Sequence, residues 1–127
     1  MRVLIVDDDP GKVCEIKAYL QVLSIAAADI ATASHAAAAR ISLATHSVDI
    51  LLIDVLLPVR EGAIPQAQNS IDLIRQIAED GTTPAPRYIV GVTASRDACE
   101  MYDADFKQLV TQVLVVGPGE QDWQSAL

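Results

Sequence analysis

Four acids and one hydroxyl carry most of the chemistry open to this chain. Asp7, Asp8 and Asp9 follow the apolar run Val3-Leu4-Ile5-Val6, Asp54 follows Ile50-Leu51-Leu52-Ile53, and Thr93 ends a third apolar run. Neighbouring parallel strands would bring these acids to one carboxyl edge, where like charges ~4 Å apart repel by about 1 kcal/mol even in bulk water. A bound divalent cation offsets that repulsion, and a purely oxygen ligand set favours Mg2+ or Ca2+. Asp9 stands before Pro10 and reads as a helix-entry residue rather than a site group. Asp54 does not, because the apolar Val55-Leu56-Leu57 after it contains no helix start. A carboxylate beside a cation held by Asp7 and Asp8 can attack phosphorus to give an aspartyl phosphate, while Thr93 hydrogen-bonds a phosphoryl oxygen.

The elements that would position these residues alternate along the chain. Residues 2–6 read as a buried strand, followed by a helix over 10–23 with Val13, Ile16, Leu20 and Leu23 at helical spacing. A weak strand over 25–32 leads to an Ala-rich helix from an N-cap at Ser34 to Thr45, with Ile41 and Leu43 as its large apolar contacts. Residues 48–53 form a central strand, and a polar connection runs from Pro58 to Ser70. Ile71, Ile74, Ile77 and Ala78 mark a third helix, stopped by Gly81 and the Pro84/Pro86 segment. A fourth strand over Tyr88 to Thr93, a helix over 96–108, a strand over Val110 to Val116 and the first turns of a helix from Glu120 complete the pattern. Alternation of this kind predicts a doubly wound parallel α/β sheet, whose ligand site lies beyond the carboxyl ends of the strands at the switch in strand order.

Composition narrows the class. The 127 residues are one domain's worth, 51% of them hydrophobic, with a mean hydropathy of +0.29, enough for a sizeable core. A formal charge of −8 disfavours direct binding of nucleic acid or an anionic membrane. Cys14 and Cys99 lack metal-ligand spacing and read as reduced, half-buried thiols. No signal peptide or membrane-spanning run is visible, which places the domain in the cytoplasm. His35 and His46 lie on or near the second helix and are assigned no catalytic role.

Taken in order, the motifs resemble the response-regulator receiver domain family over nearly the whole chain. Val3-Leu4-Ile5-Val6-Asp7-Asp8-Asp9-Pro10 is similar to the receiver's opening strand and acid pair. Asp54-Val55-Leu56-Leu57-Pro58 with Gly62 is similar to its phosphoacceptor motif, and Val92-Thr93-Ala94 to its fourth-strand hydroxyl motif. The resemblance implies a flavodoxin-like five-stranded sheet of order 2-1-3-4-5 and Asp54 as phosphoacceptor in two-component or phosphorelay signalling. It implies Mg2+ held by Asp8, Asp54 and the main-chain carbonyl of Leu56, with Asp7 acting partly through water. It further implies a histidine kinase or phosphotransfer protein as donor, an output domain or partner protein as receiver of the signal, and no enzymatic turnover. A homodimer through the fourth helix, fifth strand and fifth helix is compatible with it.

Three departures accompany the match. Receivers normally carry a Lys before a Pro at the end of strand five, and here Gly117 precedes Pro118, with Leu114 in place of the family's aromatic switch residue. Lys12 and Arg96 are the candidate replacements, although each is expected as a solvated surface charge. The connection from Val59 to Ser70 is longer than the family's turn and is expected to form a lid or partner surface over the acids. The last helix is cut short at Leu127 after Trp123, its expected core residue, so residues 1–127 read as a receiver domain excised from a longer protein. Two other functions compete. One is a degenerate pseudo-receiver acting as a phosphorylation-independent interaction module. The other is a haloacid-dehalogenase-type phosphatase, suggested by Asp7-x-Asp9 and a later Thr93 but opposed by Gly11 and the lack of a later Lys-plus-acid pair.

Overall fold

The computed structural model describes residues 1–79, 85–93 and 112–115. The strands are β1 (Val3–Val6), β2 (Ile30–Ala33), β3 (Ile50–Asp54), β4 (Tyr88–Thr93) and β5 (Gln112–Val115), and the helices α1 (Pro10–Val22), α2 (Ala36–Thr45) and α3 (Ala67–Glu79). All strand pairs are parallel, and the order 2-1-3-4 is the flavodoxin-like one expected. The backbone of residues 112–115 pairs with β4 at the outer edge. The expected helices over 96–108 and from Glu120 lie outside the described residues, as do Arg96, Cys99, Gly117, Pro118 and Trp123.

Side chains alternate across the sheet and sort into two cores. Leu4, Val6, Leu51 and Ile53 pack with α2 and α3 through Ala36, Ala39, Leu43, Ile71, Leu73, Ile74 and Ile77. Val3, Ile5, Leu52, Val90 and Val92 pack on the opposite face with Ile16 and Leu20 of α1. Burial on both faces explains why β1 and β3 are continuously apolar rather than alternating. Because α1 covers one face and α2 the other, the winding reverses between β1 and β3, the place where such sheets bind ligands.

Several local expectations need correction. The α2 cap is His35, whose Nδ1 accepts from the N–H of Ala38 at 3.1 Å, one residue later than the Ser34 expected. Ile41 is 67% exposed, so α2 packs through its alanines and Leu43. In α1, Leu23 is 42% exposed while Ile16 and Leu20 carry the contact. Cys14 is exposed rather than half-buried. The third helix starts at Ala67 instead of near Ile71, since polar residues of its first turns are anchored to the end of β3. The side chain of Asn69 donates to the carbonyl of Leu57 at 2.8 Å, and the Ser70 hydroxyl donates to the Asp54 carbonyl at 2.6 Å.

Helix α1 ends in a Schellman arrangement, with Ser24 N–H donating to the Gln21 carbonyl and Ile25 N–H to the Leu20 carbonyl. Ser24 holds φ at 70°, the conformation that glycine adopts without a Cβ penalty. Replacing it should relieve that strain at a smaller cost in unfolded-chain entropy. S24G is expected to raise stability by about 0.5–1 kcal/mol. Chemical denaturation checks this, and an unchanged or lowered midpoint overturns it.

Candidate functional site

Asp7 is the first residue past β1, and its N–H extends the ladder by donating to the Ala33 carbonyl at 2.9 Å. Asp54 is the last residue of β3, where the Val55 N–H donates to the Val92 carbonyl at 2.9 Å. Val6 pairs with Ile53, so Asp7 and Asp54 follow side by side at the switch point. One oxygen each from Asp7, Asp8 and Asp54 lie within 4.8 Å of one another. Asp7 and Asp54 are buried and Asp8 is exposed. Thr93 ends β4 at the same sheet edge, one residue past the Val92 that pairs with Asp54, and is buried. Leu56, whose carbonyl the family resemblance would place on the cation, donates its N–H to Oδ1 of Asp54 at 3.3 Å.

Asp9 stands apart from this group. Its carboxylate caps α1 by accepting from the N–H groups of Gly11 and Lys12, as its place before Pro10 suggested. Its own N–H donates to Oδ1 of Asp7 at 2.9 Å, tying the helix start to the site.

The correction that matters most concerns Lys12. Expected on the surface, it is 6% exposed, with its ammonium 2.7 Å from Oδ2 of Asp7 and 3.2 Å from Oδ1 of Asp54. The first contact is a close ion pair to the fully buried Oδ2 of Asp7. Spacing could have revealed this placement. Lys12 stands four residues before Ile16 and eight before Leu20, on the one stripe of α1 that is buried.

The electrostatics follow from the geometry. Burial, then the neighbouring Asp7, push the Asp54 carboxyl up to about 7 even though Lys12 pulls it down. Asp7 is also raised, chiefly by burial, with Lys12 opposing. Burial alone would lower Lys12, but Asp54 and Asp7 outweigh it and hold the ammonium charged. One ammonium therefore does not suffice to keep both buried carboxylates ionised. The donor set fits a hard divalent cation: three carboxylates converge within 4.8 Å, and all three donors are oxygens.

The connection after β3 is a pinned excursion. Leu57 and Gln66 exchange backbone hydrogen bonds across its base, and a tight turn closes it through Ala63 N–H to the Arg60 carbonyl, with Gly62 at φ 80°. The carbonyls of Pro58 and Val59 accept from the Ala36 and Ala37 N–H groups at 3.0 Å. Its hydrogen bonds thus run to the start of α2 and to α3.

Comparison with known proteins places this geometry. The chain has the fold of response-regulator receiver domains. It resembles response regulator TrrA of Thermotoga maritima, solved in complex with Mg2+-BeF, with a TM-score of 0.71 at 20% identity over 98% of this chain and 94% of that one. A Francisella response-regulator receiver domain matches with a TM-score of 0.65 at 22% identity, covering 90% of this chain and 82% of that one. A CheY-like receiver domain of Methylobacillus flagellatus gives 0.62 at 19% identity, covering 91% and 85%. By sequence, the chain is 35% identical over all 127 residues to the uncharacterized protein y4jS of Sinorhizobium fredii, of whose length it spans 31%. No protein-family model matches the chain.

The raised carboxyls give stability a definite pH dependence in the metal-free protein. Asp54 keeps its proton to about 7 in the fold, against 3.8 as the ordinary value, so between these limits the folded state binds more protons than the unfolded state. The stabilisation is complete below the ordinary value and is lost as pH rises through about 7. In EDTA, the unfolding free energy from denaturation should fall from pH 5 to 8 by an amount on the order of a few kcal/mol, and D54N should flatten most of that slope. A wild type that gains stability across this window contradicts the assignment.

Proposed function

We propose that the chain is a phosphoacceptor receiver domain that takes a phosphoryl group on Asp54 and passes the change to an output domain or partner protein. The observation that carries this reading is the convergence of Asp7, Asp8 and Asp54 at the carboxyl edge of a receiver-type sheet. In the reaction a carboxylate oxygen of Asp54 attacks phosphorus, the bond from phosphorus to the donor breaks, and the donor leaves with that bond's electron pair. Asp7 and Asp8, with the main-chain carbonyl of Leu56, would hold Mg2+ beside Asp54. That cation supplies the positive charge that keeps Asp54 ionised and screens the incoming phosphoryl oxygens. Thr93, buried at the end of β4, would hydrogen-bond one of those oxygens. A histidine kinase or phosphotransfer protein fits as the donor. The domain acts as an acceptor rather than an enzyme that turns over a metabolite. No helix among the described residues is long and apolar enough to cross a membrane, and a cytoplasmic place accords with the proposed role.

One observation favours the pseudo-receiver as a second reading: Lys12 already ion-pairs both buried acids, as it could in a domain that no longer takes phosphate. The phosphatase reading loses support, because the carboxylate of Asp9 is engaged in capping α1.

Incubation with Mg2+ and a small-molecule phosphodonor, read by intact mass, separates the first two. The wild type is expected to gain one phosphoryl group that D54A does not. An unmodified wild type at saturating donor would remove the phosphoacceptor reading in favour of the pseudo-receiver. Metal binding is checked separately by following amide chemical shifts in a Mg2+ titration. D8A should weaken the affinity by about tenfold or more, and an unchanged affinity would exclude Asp8 as a ligand.

A further inference from the structure

Among the described residues, Lys12 is the charged group of the pocket to which the phosphoacceptor reading gives no task. Burying a lysine is costly, and an apolar side chain could have filled this place on the stripe that continues through Ile16 and Leu20. Its stem instead carries the ammonium to Oδ2 of Asp7 and Oδ1 of Asp54. Among the described residues, Lys12 alone is ion-paired with these two acids.

The charge count gives that position a consequence. If Asp7, Asp8 and Asp54 are all ionised, as a bound cation would favour, one ammonium leaves two negative charges, the complement of a single divalent cation. Phosphorylation turns the Asp54 carboxylate into an uncharged acyl link and adds a phosphoryl group carrying about two negative charges. The pocket then holds more negative charge than before, beside the oxygen that Lys12 already touches. Lysine is suited to follow that charge, as a compact cation on a flexible stem that can turn from one oxygen to another.

We propose that Lys12 is the phosphoryl-binding cation of this pocket: seated between Asp7 and Asp54 in the resting protein, its ammonium pairs with the phosphoryl group once Asp54 carries it. The inference rests on the phosphoacceptor reading and adds to it a binding residue on α1, a helix the motif match left outside the site. It also defines what a divalent cation must compete with, since Lys12 and the metal share two carboxylates.

K12M, which keeps the stem and removes the charge, tests both consequences, with D54A as the control for the site of modification. With Mg2+ and a small-molecule phosphodonor, the K12M adduct is expected to form, or survive after donor removal, at least about tenfold less well than the wild-type adduct. In a donor-free Mg2+ titration, K12M should bind the ion about tenfold more tightly, because the competing ammonium is gone. A lysine with only a structural role would lower stability without tightening metal binding. If K12M does not melt cooperatively, K12Q replaces it in both measurements. A variant that matches the wild type in adduct formation and lifetime, or binds Mg2+ no more tightly, overturns the role of Lys12 and leaves Asp54 as acceptor. A wild type that takes no phosphoryl group overturns the phosphoacceptor reading and this inference with it.

Discussion

The contact between the Lys12 ammonium and the buried carboxylates of Asp7 and Asp54 is the constraint around which this end of the molecule is arranged. Two carboxylates on adjacent strand ends, away from bulk water, repel with an energy that reaches about 4 kcal/mol at ~4 Å when the effective dielectric constant is near 20. A cation must stand near them, and α1 supplies it. The helix can do so because Asp9 fixes its first turn, capping Gly11 and Lys12 through its carboxylate while its own N–H binds Asp7. Each of the three consecutive acids thus has a different position: Asp7 inside the pocket, Asp8 toward solvent, Asp9 on the helix.

The opposite wall is held by backbone. The Asp54 carbonyl accepts from the Ser70 hydroxyl, Val55 continues the ladder to Val92, and Leu57 pairs with Gln66 before the chain turns out toward α2. Asp54 is therefore fixed from β4 on one side and from α3 on another. Such fixing suits the proposed role of Asp54, because a reacting group needs its geometry held within fractions of an ångström. Ser70, buried, and Asn69, half-buried, are polar residues of the first turn of α3 that bond the backbone at and just after the end of β3.

Period and punctuation made most of the fold legible. Continuous apolar runs in β1 and β3, the Asp9-Pro10 helix entry and the isoleucines of α3 each satisfy a local rule that tertiary packing then reuses. The acids of the site were legible for the same reason, since a strand end fixes where the next side chain goes. The misses are residues whose type and position disagree. Lys12 has the charge of a surface residue and the spacing of a core one, and the electrostatic demand from Asp7 and from Asp54, the latter distant along the chain, decides between them. Ile41 is the converse, an apolar side chain on the outer face of a helix whose contact with the sheet is made by small alanines. His35 displaces Ser34 as a cap because its ring nitrogen reaches the free N–H of Ala38, an acceptor role outside the usual capping preferences.

The balance of charge also orders the events available to the pocket. With Lys12 as the counter-ion among the described residues, burial and Asp7 hold the Asp54 carboxyl near 7, so close to neutral pH it is only partly ionised and correspondingly poor as a nucleophile. Further positive charge would favour its ionised form. A cation arriving from solvent meets Asp8 first, because Asp8 is exposed while Asp7 and Asp54 are buried behind it. To go deeper it must draw on carboxylate oxygens that Lys12 already neutralises in part, and the ammonium must give way toward whatever negative charge is nearest. In a pocket with no phosphoryl group, that displacement costs attraction and weakens metal binding. On the proposed role of Lys12, a phosphoryl group on Asp54 would offer the ammonium a new partner, and the two cations would cease to compete. Metal, phosphoryl group and lysine would then be coupled: Mg2+ would bind less favourably before the transfer than after it, and by linkage the same coupling would favour the phosphorylated state when Mg2+ is present.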